Sequence, residues 1–438
     1  MRTRAHARGH AAVVGGGYAG LVAARVLADR FDRVTVLERD AIAVGRAYRK
    51  GTPQSRHPHG LLSRGAEILE DLFPGLRDEL AAQGAPVGDF GFFRMLYPTG
   101  WSPAIRSGLA LQTFSRPLLE TTLRHRVLMH PAVTLLDKTQ VEGLAVTAGR
   151  VTGVRLDDQT ALDADIVVIA DGPHSRLPAW LAEVGFPEPR TLRVDGRLSY
   201  TSRLYKRDPS NGLGLQASVQ ATFAPTTARG GVVIAIEDDQ WLVCLFGANG
   251  DSAPTDPDGF TAYAATLANP HIRWVVEECE PVSAIYRYGG LGGYWHRYDR
   301  LRPWPGGLVV LGDALCRLNP LYGHGMTVAA AHALLLGKAM DRSPLDTACR
   351  RFQRQTRRIL RLPWLMSTSL DQGWSRGRPP ATAVLVRRAL LGLLERIPDD
   401  PDLFRRFLNV QHLLSTPLVL LLPSDRRLPS RRQKGAGT

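Results

Sequence analysis

The sequence predicts an α/β protein built on a Rossmann-like parallel sheet, and two observations support this prediction. Apolar runs of strand length occupy residues 11–14, 166–170 and 308–311. A glycine-containing turn directly follows each run, and the first turn opens into an apolar, helix-like segment at residues 21–27. Strand, turn and helix in this order form the unit of a parallel sheet, so we expect the three turns to build one site.

The first turn has the glycine spacing of a dinucleotide-binding loop. Gly15, Gly17 and Gly20 follow the pattern G-x-G-x-x-G, which lets the backbone and the free amides of a helix N-terminus approach a pyrophosphate. A second strand at 34–37 ends at Glu38, where a carboxylate binds a ribose hydroxyl. The candidate cofactor contacts in this segment are Gly15, Gly17, Tyr18, Ala19, Gly20, Glu38 and Arg39. The loop does not separate NAD from FAD, and a glycine-rich turn of another α/β protein is the alternative interpretation.

Two later motifs separate these cofactors. The second motif consists of Asp171, Gly172, Ser175 and Arg176. The third consists of Gly312, Asp313 and Ala314, followed by Pro320, Gly323, His324 and Gly325. Each motif alone is weak evidence for a flavin site, but the order and spacing of the three motifs together are highly specific for one.

Over residues 10–340, the three motifs resemble the single-component (group A) flavoprotein monooxygenases, which include para-hydroxybenzoate hydroxylase and squalene epoxidase. The resemblance implies an FAD-binding domain of the para-hydroxybenzoate hydroxylase type, an antiparallel β-sheet substrate domain and a helical C-terminal region. It also implies that NADPH or NADH reduces FAD and that O2 then forms a flavin C4a-hydroperoxide. Because no second dinucleotide-binding unit follows, NAD(P)H would bind only transiently.

The resemblance also assigns cofactor contacts outside the first turn. Arg116 matches an arginine that opens a helix and contacts the cofactor in this family. The other positions that match family contacts are Asp171, Gly172, Asp313, Pro320, Gly323, Gly325 and Met326. An apolar helix predicted at 326–340 would direct its positive end toward the flavin pyrimidine ring, where the reduced flavin is negative.

Two segments give a closer resemblance. Residues 49–59 and 322–326 look like those of actinobacterial olefin epoxidases that act on polyether polyketide precursors, and also like those of related oxidoreductases, so they suggest a subfamily and not a substrate. The leading hypothesis is the epoxidation of an alkene of a polyketide or terpenoid. Arg49 and Arg56 are candidates for cofactor contacts, with surface exposure as the alternative. The candidate catalytic residues are His57, His59 and His324, with structural hydrogen bonding as the alternative role.

Three other functions stay open on the sequence. An aromatic hydroxylase of the same fold would gain from a base that deprotonates a phenol, whereas epoxidation needs none, and we find no clear base. A reductase resembling geranylgeranyl reductase would not use oxygen, and an FAD-binding protein without turnover is a non-enzymatic alternative. The Trp-x-Trp-x-Ile-Pro segment of flavin-dependent halogenases does not occur in the chain. An aromatic-rich stretch at residues 286–304 is either packing or the wall of a pocket for an apolar substrate.

Charge does not favour a nucleic-acid ligand. The net charge is +14, and residues 341–438 hold 19 Lys and Arg against 8 Asp and Glu. No nucleic-acid-binding motif accompanies them, so we interpret them as a solvated face. The alternative is attraction to an anionic membrane surface, to NADPH or to an acyl carrier protein.

The sequence predicts a cytoplasmic protein that uses a small apolar substrate and O2. Residues 1–10 lack the apolar core of a signal peptide, and no apolar run is long enough to span a membrane. The apolar run at 418–422 is expected to pack on the protein body, with peripheral membrane contact as the alternative. The four cysteines show no metal-binding spacing, so no metal is expected. A separate reductase partner stays open.

We expect the domains to alternate along the chain. The FAD-binding domain comprises residues 1–75, 116–185 and 301–342, and the substrate domain comprises 76–115 and 186–300. Helices, broken at Pro363, Pro379-Pro380 and Pro398, fill the C-terminal region at 343–438. Within the second FAD-binding segment, short strands at 133–136, 140–147 and 151–156 are expected to form a meander.

Overall fold

The computed structural model describes residues 8–211, 214–375 and 381–422. The strands are β1 (Arg8–Val14), β2 (Phe31–Leu37), β3 (Val87–Asp89), β4 (Arg94–Tyr97), β5 (Gly100–Trp101), β6 (Ala110–Gln112), β7 (Val133–Leu136), β8 (Val141–Thr147), β9 (Arg150–Leu156), β10 (Ala161–Asp163), β11 (Ile166–Ile169), β12 (Thr191–Val194), β13 (Ser199–Lys206), β14 (Ala217–Gln220), β15 (Arg229–Ile236), β16 (Gln240–Gly247), β17 (Tyr286–Tyr288), β18 (Gly293–His296), β19 (Leu308–Val310) and β20 (Cys316–Arg317). The α-helices are α1 (Tyr18–Ala28), α2 (Ser63–Leu72), α3 (Leu76–Ala82), α4 (Arg116–Leu128), α5 (Leu177–Glu183), α6 (Pro257–Ala265), α7 (Pro270–Glu278), α8 (His324–Met340), α9 (Leu345–Asp371), α10 (Ala381–Arg396) and α11 (Pro401–Gln411).

A five-stranded parallel sheet confirms the Rossmann-like prediction. Its strand order is β7-β2-β1-β11-β19, and every neighbouring pair is parallel. Alternate residues of β1 serve two cores: Ala11 and Val13 pack toward α1, α4 and α8, while Ala12 and Val14 pack toward β8 and β9. Because both faces are covered, the central strand segments at 11–14, 166–169 and 308–310 are apolar at every position, as is typical of parallel sheets.

The strand β7 corrects one prediction. We expected residues 133–136 to begin the antiparallel meander, but β7 pairs in parallel with β2 at the edge of the central sheet. The meander consists of β8, β9 and β10. A four-residue apolar run carries no signal of its partner strand, so only the tertiary structure places it.

The predicted antiparallel substrate sheet is confirmed. Seven strands lie in the order β17-β13-β16-β15-β14-β4-β5, and all pairs are antiparallel except β14 with β4. Its two faces bury different elements. Val233 packs toward α6 and α7, whereas its neighbour Ile234 packs toward α10 and α11.

The C-terminal region is helical, but its breaks differ from the prediction. The expected break at Pro363 is wrong, because α9 continues through this buried proline. The break at Pro398 is confirmed, since this residue lies in a 3-10 turn between α10 and α11. Pro379 and Pro380 lie outside the described residues. Within residues 8–211, 214–375 and 381–422, no helix combines the length and apolar character needed to cross a bilayer.

The core contains a buried histidine, His332. His332, in the middle of α8, is fully buried, and neither ring nitrogen has a hydrogen-bond partner within the described residues. Burial lowers the pKa of His332 from 6.5 to about 3, so the ring is neutral at physiological pH. A buried polar group without a partner destabilises the folded state by roughly 1–3 kcal/mol.

We therefore expect His332→Leu, which nearly conserves volume, to raise the free energy of unfolding by about 1–3 kcal/mol. Below pH 6.5 His332 is protonated in the unfolded state but stays neutral in the folded state, which destabilises the wild type. The increase in the free energy of unfolding caused by His332→Leu should therefore be larger at pH 5 than at pH 8. Urea unfolding at both pH values measures this, with His125→Leu on the exposed face of α4 as the control. A less stable His332→Leu variant would contradict the account.

Candidate active site

The three motifs of the sequence meet in one cavity. The turns that follow β1, β11 and β19 lie side by side, because these strands are neighbours in the parallel sheet. Glu38, which follows β2, joins them from the other side of β1. The predicted cofactor contacts that line this cavity are Gly15, Gly17, Tyr18, Ala19, Glu38, Arg39, Arg116, Asp171, Gly172, Asp313, Pro320, Gly323, Gly325 and Met326.

The glycines of the first turn have different structural tasks. Gly15 has a φ of +104°, a conformation that favours glycine, and Gly20 lies so close to it that a Cβ would be 1.8 Å from the Gly15 carbonyl oxygen. Gly20 therefore allows the helix to pack on the turn and does not line the cavity. Gly17 and Gly325 face open space, since a Cβ would meet no atom within 3.8 Å at Gly17 and none within 4 Å at Gly325.

Glu38 closes the first turn through its backbone contacts. Its carboxylate accepts a hydrogen bond from the Gly16 amide at 3.0 Å and another from the Asp40 amide at 2.9 Å. The side chain is buried, at 6% exposure, so its charge needs a partner. That partner is Arg49, whose Nη1 lies 2.9 Å from Glu38 Oε2.

Arg49 does not line the cavity but pairs with Glu38 and Glu120, which do. It is 9% exposed, and its Nη2 donates to Glu120 Oε2 at 3.0 Å. Glu120 also accepts from Arg116 Nε at 2.7 Å and from the Tyr18 amide at 3.2 Å. Burial opposes ionisation of Glu120, but the charges of Arg116 and Arg49 outweigh it and lower the pKa of Glu120 to about 2.

Sequence reasoning missed Glu120, although the residue occupies an informative place. A carboxylate on the Tyr18 amide lies at the helix N-terminus of α1, where an anion is favoured. The only sequence signal is the spacing of four residues from Arg116 on a helix, which is common among solvent-exposed pairs.

The turns that follow β11 and β19 each contain a buried carboxyl group. Asp171 Oδ1 is buried without a hydrogen-bond partner within the described residues, and burial raises the pKa of Asp171 to about 6. Burial also raises the pKa of Asp313. The hydroxyl of Tyr294 lies 2.8 Å from the carbonyl oxygens of both Pro173 and Asp313, so it joins these two turns. The sequence placed Tyr294 only within an aromatic stretch.

His57 and His59 both line the cavity, and both are neutral. Burial lowers the pKa of His57 to about 4 and that of His59 to about 3. The Nδ1 of His57 lies 2.7 Å from Ser202 Oγ. The Nδ1–H of His59 donates to the His57 carbonyl at 2.8 Å, which leaves its Nε2 as a hydrogen-bond acceptor. Neither ring therefore carries an acidic proton at physiological pH.

The structure places two other predicted site residues away from this cavity. His324 is fully buried, and its Nε2 lies 3.1 Å from the Gln411 carbonyl at the end of α11. The guanidinium of Arg56 lies between two aromatic rings, 4.3 Å from the ring centre of Tyr48 and 4.0 Å from that of Tyr286. Both residues therefore have protein partners that account for their positions.

A residue pair that the sequence did not indicate anchors the third motif. Asn319 Oδ1 accepts from the Leu321 amide at 2.9 Å and thereby caps the 3-10 turn Pro320–Tyr322. Its Nδ2 donates to Asp371 Oδ1 at 2.6 Å. Asp371 is the last residue of α9, so the C-terminal region holds the loop before Gly323. Burial raises the pKa of Asp371 to about 7.

A second, apolar chamber adjoins the cavity. It lies between the seven-stranded sheet and the helices α9, α10 and α11. The residues that line both spaces are Pro58, His59, Gly60, Tyr200, Pro320 and Gly323. His59 and Pro320 therefore stand where the two spaces meet.

We expect Asp371→Asn to stabilise the protein, because it keeps an oxygen for Asn319 and removes a buried acid. The folded pKa lies above the usual 3.8, so the wild type loses stability as pH rises from about 4 through 7. The free energy of unfolding of the variant should exceed that of the wild type by on the order of 2–4 kcal/mol at pH 8 and by little at pH 4. Urea unfolding across this range checks the result, and a difference independent of pH would contradict it.

Several known proteins are similar to this chain in sequence or in fold. Protein Rv3254 of Mycobacterium tuberculosis is 33% identical over 348 residues, which cover 76% of this chain and 73% of that protein. The FAD-dependent monooxygenase ausM of Penicillium brasilianum is 24% identical over 359 residues, covering 75% of this chain and 69% of ausM. A solved structure of 2-methyl-3-hydroxypyridine-5-carboxylic acid oxygenase matches over 87% of this chain and 96% of its own chain, with a TM-score of 0.62 and 19% identity, which shows a shared fold.

A family profile described as the FAD binding domain matches residues 9–343. The cavity fits this cofactor: open space at Gly17 and Gly325 admits a bulky ligand, and the unpartnered Asp171 Oδ1 offers an acceptor for its hydroxyl groups. Glu38, the first turn and Asp313 would hold its ribose, pyrophosphate and ribityl groups. The chain therefore belongs to the FAD binding domain family, and it is an FAD-dependent monooxygenase.

Proposed function

We propose that this monooxygenase epoxidises an alkene of a neutral, apolar polyketide or terpenoid. The observation that carries the proposal is the apolar chamber next to the cofactor cavity. No Asp, Glu, Lys or Arg is among the described residues that line it. A substrate with a charged group would lose its hydration there without gaining an ionic partner, which is strongly unfavourable.

The ionisable groups of the chamber are also held neutral. Burial raises the pKa of the Cys244 thiol to about 12, and it raises the pKa values of Tyr97, Tyr200 and Tyr322. His59 is neutral as well, since burial lowers its pKa to about 3. The chamber therefore favours a substrate bound by apolar contact and shape.

The weak basicity of His59, which lines both spaces, favours epoxidation over phenol hydroxylation. Among the described residues, His59 is the only histidine that lines both spaces, and its low pKa makes it a poor base. An electron-rich alkene takes up an oxygen atom without deprotonation, whereas a phenol reacts faster when a base removes its proton. The resemblance of residues 49–59 and 322–326 to olefin epoxidases supports the same choice, because His59 and Tyr322 come from these segments.

The protein contributes binding, orientation and exclusion of water. FAD, when bound, supplies the oxygen-activating chemistry, with NADPH or NADH as reductant. Met366 and Leu370 of α9, Leu390 and Leu394 of α10 and Phe407 of α11 form the helical wall of the chamber. A dry chamber limits the reaction of activated oxygen with water and leaves the alkene as its target.

The first test is oxygen labelling. The FAD-loaded enzyme with NADPH should consume NADPH faster when a neutral, apolar alkene is added, and one oxygen atom from 18O2 should appear in an epoxide. Mass spectrometry of the product measures this, with the carboxylate-bearing analogue of the same alkene as the control, which should be a poor substrate. Hydroxylation of a phenol in preference to any alkene would contradict the proposal, and flavin turnover without oxygen incorporation would indicate a reductase.

The second test concerns His59. In His59→Asn, the amide nitrogen retains the hydrogen bond to the His57 carbonyl while the Nε2 acceptor is lost. We expect kcat for epoxidation to fall by less than about tenfold, because no base is required, whereas loss of a general base costs about 10²–10⁴-fold. Steady-state kinetics decide between these outcomes. A loss of more than a hundredfold, about the lower bound for a base, would show that His59 takes part in proton transfer.

A further inference from the structure

The exposed side of α9 has an unusual concentration of positive charge. Between Asp346 and Asp371 the helix has six charged residues, all of them arginines and all exposed. These residues, which we call the arginine face, are Arg350, Arg351, Arg354, Arg357, Arg358 and Arg361.

The arginine face is a single surface and not a ring around the helix. At 3.6 residues per turn, its six members fall within an arc of about 120° and extend over roughly 17 Å of the helix. Phe352, Gln353, Thr356 and Leu360, which lie outside this arc, are buried against the protein body. The fold therefore directs all six guanidinium groups outward on the same side.

Carboxylates of the described residues do not neutralise the charges of this face. No ion pair joins any of the six arginines to a carboxylate within the described residues. Two half-buried arginines nearby are paired, Arg150 with Asp346 and Arg30 with Asp341. Six like charges on one helix repel each other, so a partner with dense negative charge would be bound favourably.

An exposed apolar side chain continues the arginine face along α9. Leu365, one turn beyond Arg361 and within the same arc, is 42% exposed. The adjacent helix α10 exposes Val384 at 46% and Leu385 at 70%. An acidic protein would match the arginines alone, whereas a lipid surface offers both anionic headgroups and an apolar interior.

We propose that the arginine face, with Leu365, docks the enzyme on a membrane surface rich in anionic lipid. The same helix α9 continues into the wall of the apolar chamber, where Met366 and Leu370 line it. Docking therefore brings the chamber close to the bilayer, where apolar molecules accumulate. The docking stands on the charge and exposure of α9 and does not depend on which reaction the enzyme catalyses.

Vesicle flotation with the FAD-loaded, full-length protein tests the proposal. The vesicles contain either phosphatidylcholine alone or two parts phosphatidylcholine to one part phosphatidylglycerol, at physiological ionic strength. The wild type should float with the anionic vesicles and stay behind with the neutral ones. The variant R354Q/R357Q/R361Q should bind the anionic vesicles about two orders of magnitude more weakly, since each basic side chain near such a surface contributes roughly fivefold.

A matched variant controls for net charge. R106Q/R190Q/R273Q removes three exposed arginines from outside α9 and should bind within about threefold of the wild type. Equal binding of the wild type to neutral and anionic vesicles would overturn the proposal, as would wild-type binding by R354Q/R357Q/R361Q. Binding to soluble polyglutamate without binding to vesicles would also overturn it, in favour of an acidic protein partner.

Discussion

The geometry of the candidate active site depends on one buried ionic cluster, formed by Glu38, Arg49, Glu120 and Arg116. Buried charges are tolerated only when they are paired, and here each carboxylate has an arginine at 3.0 Å or less. The cluster connects three separate segments: the end of β2, the loop at 49–59 and the start of α4. Removing Arg49 would leave two buried carboxylates without their shared cation. The loop that bears His57 and His59 is therefore held in place by the same contacts that shape the glycine turn.

The second constraint is the division between a polar cavity and an apolar chamber. Parallel strands place the backbone turns, Asp171 and Asp313 at one edge, where the phosphorylated cofactor would be held. The antiparallel sheet and the C-terminal helices supply aliphatic and aromatic side chains to the chamber. Only a short strip, which includes His59 and Pro320, belongs to both. Asn319 and Asp371 hold Pro320 in place, so the C-terminal helices both line the chamber and position the loop beside the cofactor cavity.

The motifs could be predicted from the sequence, whereas the contacts between distant segments could not. Glycine spacing and apolar strands predicted the parallel sheet and the neighbourhood of Gly15, Asp171 and Asp313, because these signals are local. Glu120 and Asp371 were not predicted, since each looks like an ordinary helix residue until tertiary packing buries it. The meander was misassigned at β7 and the helix break at Pro363 for the same reason: strand pairing and helix continuation were set by packing. The chamber required residues from several separate segments of the chain, which no pattern connects.

The measurement that tests the central claim most directly is a crystal structure of the FAD complex with a neutral alkene bound. The account predicts the pyrophosphate at the turn from Gly15 to Gly20, the flavin ring beside His59 and Pro320, and the alkene in the apolar chamber facing that ring. An alkene bound elsewhere, or a chamber closed off from the flavin by His59 and Pro320, would contradict it.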